Sequence, residues 1–402
     1  MAKKKILVAI DWYLPGYKAG GPIRSCANII FNLKDDFDFS VVTSDTDFSD
    51  NTPYSSVKSD QWNTLNDGTR VYYFSSAGFS YKAMEELILQ EKPDIIYMNS
   101  FFSRQFTLTP LRVIRKKKLK CKAIIAPRGM LGAGALAIKP LKKLAFISFS
   151  KMMGTYDKVR WHASTTQEAD EIKAIFGKRA EVVVALNLSS AQTNTVADKQ
   201  KKSGELNLLF FSRISRKKNL HLVLQWLQQI PADNKINFSI YGTLEDDAYW
   251  KECEALISKL PDHIRANYLG VVSSDETPKV FARNHFSILP TMHENYGHAI
   301  IESLAAGVPV IISKNTPWHQ LEQVLAGFDI DLADEAGFKE AIQKAAAMDN
   351  VTYSQWQTAS VQYAASVLNN SNTITQNKNS LQVSMKPIFV NNVKQNSQSF
   401  ES

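Results

Sequence analysis

The sequence predicts an α/β protein of two Rossmann-like domains, each a mostly parallel sheet covered by helices on both faces. Three observations predict it. Short apolar runs alternate with helix-length segments along the chain, the rhythm of strand-helix-strand units. A polar stretch without apolar period, 191–204, interrupts that rhythm. Beyond it the alternation restarts at 206–211, and 402 residues suffice for two cores of ordinary size. The domains are therefore expected at 1–190 and 205–352, with 191–204 as linker and a terminal helix at 353–368. The Asn/Ser/Gln-rich tail, 369–402, reads as disordered, with a short ordered patch at 385–393.

Taken in order, 5–10 (KILVAI) is a buried-strand run, and Pro22 suits the first turn of a helix reaching about Leu33. Between them, Gly20 and Gly21 let backbone amides approach a phosphate or sugar, which makes both candidate binding residues. Strands follow at 38–42, 69–74 and 94–98, with a helix at 84–90. Asp45-Thr46-Asp47 has Asp-x-Asp metal-site spacing, yet its Ser/Thr/Asp-rich loop reads as turn chemistry. Loops carrying Asn99 and Arg128 follow the strands 94–98 and 122–126 and should open at the carboxyl edge of the first sheet. The lysine-rich helix at 139–155 is amphipathic, with core packing its default and docking of a lipid-linked acceptor the alternative. Thr165 or Thr166 caps the next helix, and His162 reads as structural.

In the second half, Arg213 ends the strand 206–211 and Lys218 stands five residues on, so both can converge on one diphosphate. Gly242 follows the strand 235–241, and Gly270-Val271 follows 266–269. Apolar runs at 285–289 and 308–312 then flank the stretch His293 to Pro309. Glu294 lies in its loop, and Glu302 lies eight residues on, along a helix that starts near Gly297 or His298 and stops before Gly307. One acid at a cleft mouth, a helix N-terminus and a second acid suit an anionic ligand carrying hydroxyls. Trp318 reads as core, and 335–347 as another helix.

Glu-x7-Glu, written ENYGHAIIE and followed by SLAAGVPVI, resembles the signature of glycosyltransferase family four, retaining nucleotide-sugar enzymes of the GT-B fold. Gly20-Gly21 resembles the glycine-rich first loop of that family, and Arg213-x4-Lys218 resembles its basic pair. Two positions depart from it: Arg128 stands where a histidine often touches the transferred sugar, and Asn219 replaces the glycine usual after the lysine. The resemblance implies two sheets facing across a cleft and a C-terminal helix crossing back to the first domain. It implies transfer of a glycosyl unit from a nucleotide sugar, with retention and without a metal or other cofactor. Glu294 would hold sugar hydroxyls near C1, and Glu302 the ribose. Arg213, Lys218 and amides from Gly297 to Ile300 would meet the diphosphate, leaving no side-chain nucleophile. Asn295, Tyr296, His298, Ala299, Gly242, Gly270 and Val271 complete the donor side; Arg128 and Asn99 face the sugar or acceptor. The acceptor would be a glycan or lipid-linked molecule of polysaccharide or lipopolysaccharide assembly, and the nucleotide base stays open.

The formal charge of +8 is clumped at Arg115-Lys116-Lys117-Lys118, Lys139 to Lys143 and Arg216-Lys217-Lys218. Such clusters admit nucleic acid, an anionic membrane surface or phosphorylated substrates. Without aromatic interleaving or a helix-turn-helix pattern, nucleic acid is set aside, leaving peripheral membrane contact beside the nucleotide sugar and its acceptor. No apolar run reaches 18 residues, the leader-like start is too short for secretion, and three scattered cysteines suggest a reduced, cytoplasmic protein. A GT-B epimerase or phosphorylase would share the cleft, and a non-catalytic membrane-surface protein would share the basic clusters. A dehydrogenase would need Gly-x-Gly-x-x-Gly after Ile10, which is lacking.

Overall fold

The computed structural model describes residues 3–137, 139–189, 199–273, 276–368 and 371–382. The first sheet comprises β1 (Lys4–Ala9), β2 (Phe37–Ser44), β3 (Trp62–Thr64), β4 (Arg70–Phe74), β5 (Ile95–Met98), β6 (Lys122–Ile125), β7 (Arg160–Ala163) and β8 (Glu181–Val184). The second comprises β9 (Glu205–Phe211), β10 (Lys235–Tyr241), β11 (Ile264–Tyr268), β12 (Phe286–Leu289), β13 (Val310–Ser313) and β14 (Gly327–Ile330). Their orders are β3-β4-β2-β1-β5-β6-β7-β8 and β11-β10-β9-β12-β13-β14. Among the described strands only the pairing of β3 with β4 is antiparallel; at three residues, β3 is too short to show an apolar period in the sequence. In each sheet the chain winds from a central strand to one edge, returns, and winds to the other. The reversals fall between β1 and β5 and between β9 and β12, and each opens a crevice at the carboxyl ends of those strands.

Strand β1 shows why these runs are almost wholly apolar. Ile6 and Val8 enter the core under the helix Gly21–Leu33, whereas Leu7 and Ala9 enter the core on the opposite face. Along Gly21–Leu33, Ile23, Cys26, Ile29, Ile30 and Leu33 are buried at helical spacing. Thr165 caps Thr166–Phe176 by accepting from the Glu168 amide at 3.1 Å. Asp47 turns its own loop, accepting from the Phe48 amide at 2.7 Å on Oδ1 and from the Asp50 amide at 3.0 Å on its carbonyl, and its carboxylate also receives the distant Tyr17 and Lys18 amides at 2.8 and 3.2 Å.

Three expectations are corrected. The helix Asn350–Leu368 packs on the second domain against His298–Ala305, and the return to the first domain is made by the following helix, Ser371–Gln382. Those residues fall in the tail read as disordered. They are too polar to signal a helix, and side-chain bonds hold it: Asn377 donates to the Leu186 carbonyl at 2.7 Å, and Lys378 pairs with Asp36. Secondly, the end of the expected linker is fixed to the second domain. The Lys199 ammonium donates to the carbonyls of Phe281 and Asn284 at 3.2 and 3.0 Å, and Lys201 to those of Ala346 and Met348 at 2.8 and 3.1 Å. The rest of the linker, 191–198, and the tail patch at 385–393 lie outside the described residues. Thirdly, the lysine-rich helix, Pro140–Met152, turns apolar side chains outward: Leu141 is 84%, Phe149 58% and Met152 75% exposed. No described helix is long and apolar enough to cross a membrane.

Candidate functional site

The two crevices face each other and form one cleft of about 490 Å³, lined by Gly20, Gly21 and Arg128 on one wall and Arg213, Lys218 and Glu294 on the other. Ligand pockets commonly enclose roughly 300–1,000 Å³.

On the second-domain wall, backbone constraints bring the strand ends together. Gly242 has φ 149°, and a Cβ there would lie 1.8 Å from the Ser212 carbonyl oxygen, so only glycine lets the ends of β10 and β9 approach. Asn219 has φ 57°, the left-handed region that asparagine tolerates, which accounts for its standing in place of glycine. Its Nδ2 donates to the Pro290 carbonyl at 2.8 Å, and the Met292 amide donates to the Lys217 carbonyl at 2.8 Å. The basic loop is thereby bound to the acidic loop, and the Lys218 ammonium pairs with Glu294. Burial, with Arg213 and Lys217 adjacent, pulls the Lys218 ammonium well below the ordinary lysine range. Arg213 pairs with Glu245 at 3.1 Å.

The helix His298–Ala305 starts at Gly297, whose φ of 80° and 2.8 Å clearance to Ile300 Cδ1 exclude a Cβ. Tyr296 is steadied by Trp318, whose Nε1 donates to the Tyr296 carbonyl, so this buried tryptophan is core and also shapes the loop. The Ile300 amide is taken by the Gly297 carbonyl at 2.9 Å and its side chain is in the core, which leaves the His298 and Ala299 amides to head the helix. His298 Nε2 meets Ser25 Oγ at 3.0 Å; burial, with Arg24 and Arg128 near, pulls its pKa down to about 3, so the ring is neutral. About one turn on, the partly buried Glu302 carboxylate pairs with Arg24 of the first domain, and burial raises its pKa against the opposing pull of Arg24.

On the first-domain wall, Arg128 has a φ of 55° and a guanidinium held entirely by neutral acceptors. Nε donates to Asn99 Oδ1 at 2.7 Å, Nη2 to Tyr97 Oη at 2.8 Å, and Nη1 to Asn187 Oδ1. His162 supports this group through Tyr97, at 2.7 Å, and the Ala185 carbonyl, at 2.8 Å. The buried Glu168 accepts from the Gly129 amide, the Ser164 amide and hydroxyl, and, across the cleft, Asn295 Nδ2 at 3.1 Å.

Of the residues singled out in the sequence, Gly20, Gly21, Arg128, Arg213, Lys218, Gly242 and Val271 line the cleft, as do Glu294 through Ala299 and Glu302. Asn99, Gly270 and Ile300 stand behind it: Asn99 holds Arg128, and the Gly270 carbonyl accepts from the Gly242 amide at 2.9 Å. Sequence reasoning did not single out Arg24, Lys217 or Glu168 as site residues; the Glu302 partner of Arg24 and the Asn295 partner of Glu168 come from the other domain, and no local pattern announces them.

Residues 192–351 match the model of the family described as glycosyl transferases group 1. Over 159 residues the chain is 25% identical to an O-antigen chain mannosyltransferase B of Escherichia coli, covering 36% of this chain and 41% of that protein. Over 115 residues it is 29% identical to an alpha-monoglucosyldiacylglycerol synthase of Streptococcus pneumoniae, covering 28% and 25% respectively. The chain thus matches less than half the length of these curated relatives. Among solved structures, Anabaena Alr3699/HepE in complex with UDP and glucose superposes with a TM-score of 0.69 at 15% identity, over 94% of this chain and 99% of that one. WaaG, a glycosyltransferase involved in lipopolysaccharide biosynthesis, superposes at 0.61 with 12% identity, over 93% and 97%. The chain has the GT-B fold, and within it residues 192–351 carry the match to glycosyl transferases group 1.

Proposed function

We propose that this chain is a retaining glycosyltransferase that moves a sugar from a nucleotide-sugar donor to a glycan or lipid-linked acceptor, in polysaccharide or lipopolysaccharide assembly. The observation that carries the reading is the meeting of Arg213, Lys218 and a helix N-terminus with two carboxylates, Glu294 and Glu302, in one interdomain cleft. As the bond to C1 breaks, charge grows on the diphosphate oxygens, where the two cations and the His298 and Ala299 amides stabilise it. Glu294, paired with Lys218, accepts hydrogen bonds from sugar hydroxyls. Glu302 accepts from the ribose once Arg24 yields its place. No side chain is assigned as nucleophile; the departing phosphate helps to take the proton of the acceptor.

The solved relative holding UDP and glucose supports a uridine donor as the first to try. Incubation with UDP-, GDP- and ADP-sugars and a glycan acceptor, followed by product analysis, tests the reading. A glycosylated acceptor with the donor's anomeric configuration is expected; free sugar, a sugar phosphate or an epimerised nucleotide sugar would overturn it in favour of an epimerase or phosphorylase.

The same reading has the protein work at the cytoplasmic face of an anionic membrane. Support comes from Pro140–Met152, whose outward apolar face is flanked by Lys142 and Lys151 and which contains no acidic residue. Such a helix lies in the interfacial plane, its apolar side chains below the headgroups and its lysines among them.

A further inference from the structure

The cations of the cleft divide into two kinds. Lys18, Arg24, Arg213 and Lys218 each have a carboxylate: Asp50, Glu302, Glu245 and Glu294. Arg128 has none. Its three bonds go to two amide oxygens and a phenol, and among the described residues no carboxylate comes within 4.0 Å of it. Glu168, the buried carboxylate of the neighbouring loop, already accepts four donors. A partly buried cation without a counter-charge is costly, and a binding site keeps one when the ligand brings the missing charge. A guanidinium has five N–H donors. Three are used, which leaves one on each terminal nitrogen, the pair that grips a carboxylate at both oxygens.

Position selects among anions. The diphosphate charge is met on the opposite wall by Arg213, Lys218 and the His298 helix. Arg128 instead flanks the Glu294 loop: a Cβ placed on the adjoining Gly129 would lie 3.6 Å from Asn295 Cβ and 3.7 Å from His293 Nε2. That is the sugar end of the cleft. We infer that Arg128 receives the carboxylate of an acidic sugar of the hexuronic class, carried by the donor or by the acceptor. The inference rests on the transferase reading and narrows its substrate.

Two arms separate the sources. In the first, kcat/KM is measured for UDP-glucuronic acid against UDP-glucose, and for GDP-mannuronic acid against GDP-mannose. In the second, the preferred donor is held fixed and a glucuronide acceptor is compared with the matching glucoside. The wild type is expected to prefer the carboxylated sugar in one arm. Arg128→His, which suits the left-handed backbone, should lower that preference on the order of 10- to 100-fold, since a charged hydrogen bond is worth about 1.5–3 kcal/mol. Arg128→Lys, which keeps the charge and loses the fork, should lower it less, and it carries the test if the histidine variant does not fold. Calorimetry with UDP and GDP runs alongside. Variants that slow all sugars alike and weaken nucleoside diphosphate binding would make Arg128 a diphosphate ligand and overturn the inference. So would equal turnover of both members of each pair, with UDP or GDP still bound and the transferase reading left standing. A wild type that binds neither nucleotide would overturn the transferase reading and this inference with it.

Discussion

Lys218 and Glu294 form the pair on which the donor reading leans most, and a double-mutant cycle across them separates structure from chemistry. Their side chains are 9% and 17% exposed, so the pair is neither sealed nor solvated. Removing one partner of a fully buried pair costs about 3–5 kcal/mol, and an exposed pair is worth about 0–1 kcal/mol. Lys218→Met or Glu294→Gln should therefore each cost about 2–3 kcal/mol, near the lower end of the buried range because cleft water reaches what is left. That corresponds to a fall in Tm of roughly 4–12 °C if the second domain, of the 150–250-residue class, unfolds as its own unit. The double variant leaves no orphan charge, so its loss should fall short of the sum by about 1–3 kcal/mol. Turnover behaves differently. Each single change removes a preorganised contact to the reacting group and should lower kcat by ~10²–10³, and the double variant should recover stability without recovering rate. Denaturant titration and initial rates with the true donor give both readings. Additive stability losses would refute the pairing, and near-wild-type turnover of Lys218→Met would refute its place at the diphosphate.

Arg213→Ala should lower turnover by a comparable ~10²–10³, yet change stability by less than about 1 kcal/mol because its bridge to Glu245 is open to solvent; initial rates and Tm measured together check this. For Glu302→Ala, calorimetry should find nucleoside diphosphate bound more weakly, and unchanged affinity would remove the ribose from that carboxylate. The fold should lose stability in acid. His162 and His298 are pulled down to about 3 and His285 to about 4, mainly by burial. Unfolded histidines take up protons below about 6.5. The unfolded state therefore binds the excess proton between about 6.5 and those lower values, and stability falls with pH across that window, by up to ~1.4 kcal/mol per pH unit for each histidine. Urea midpoints that stay level from pH 7.5 to 5 would contradict this. Finally, Leu141→Glu with Met152→Glu should reduce co-sedimentation with phosphatidylglycerol vesicles while leaving Tm in place, since both side chains point outward; equal sedimentation would detach that helix from any membrane role.

Much of the scaffold was legible because local pattern and tertiary role agree. Residues 335–347 were read as a helix and form one with those bounds, its N-cap Asp334 accepting from the Gly337 amide at 2.9 Å. The central strands of both sheets appeared as apolar runs because they are buried on two faces, whereas the edge strands β3, β8 and β11 are half-exposed; the fold class followed from the alternation. The polar side chains of the cleft were legible where they follow a strand, as Arg213 and Glu294 do. Contacts made across the cleft were not. Arg24 reads as one more first-turn residue until folding brings it to Glu302, 278 positions away. Glu168 reads as a helix N-terminal acid, which it is, and only the assembled loops show it binding Gly129 and Asn295. Composition misled in two places for one reason, that hydropathy reports how much apolar surface exists and not which way it faces. Ser371–Gln382 is polar and packed, with Asn377 and Ser380 buried; Pro140–Met152 is apolar and turned outward.

The central claim is that the cleft takes a nucleotide-sugar donor through its diphosphate and ribose. Thermal shift with UDP, GDP and ADP tests it most directly, because a ligand of the folded state raises stability as RT ln(1 + [L]/Kd), about 2.7 kcal/mol at a hundredfold excess over Kd. One of the three should raise Tm by several degrees in the wild type, and by clearly less in Glu302→Ala and in Lys218→Met. No shift with any of them, or a shift equal in wild type and both variants, would contradict it.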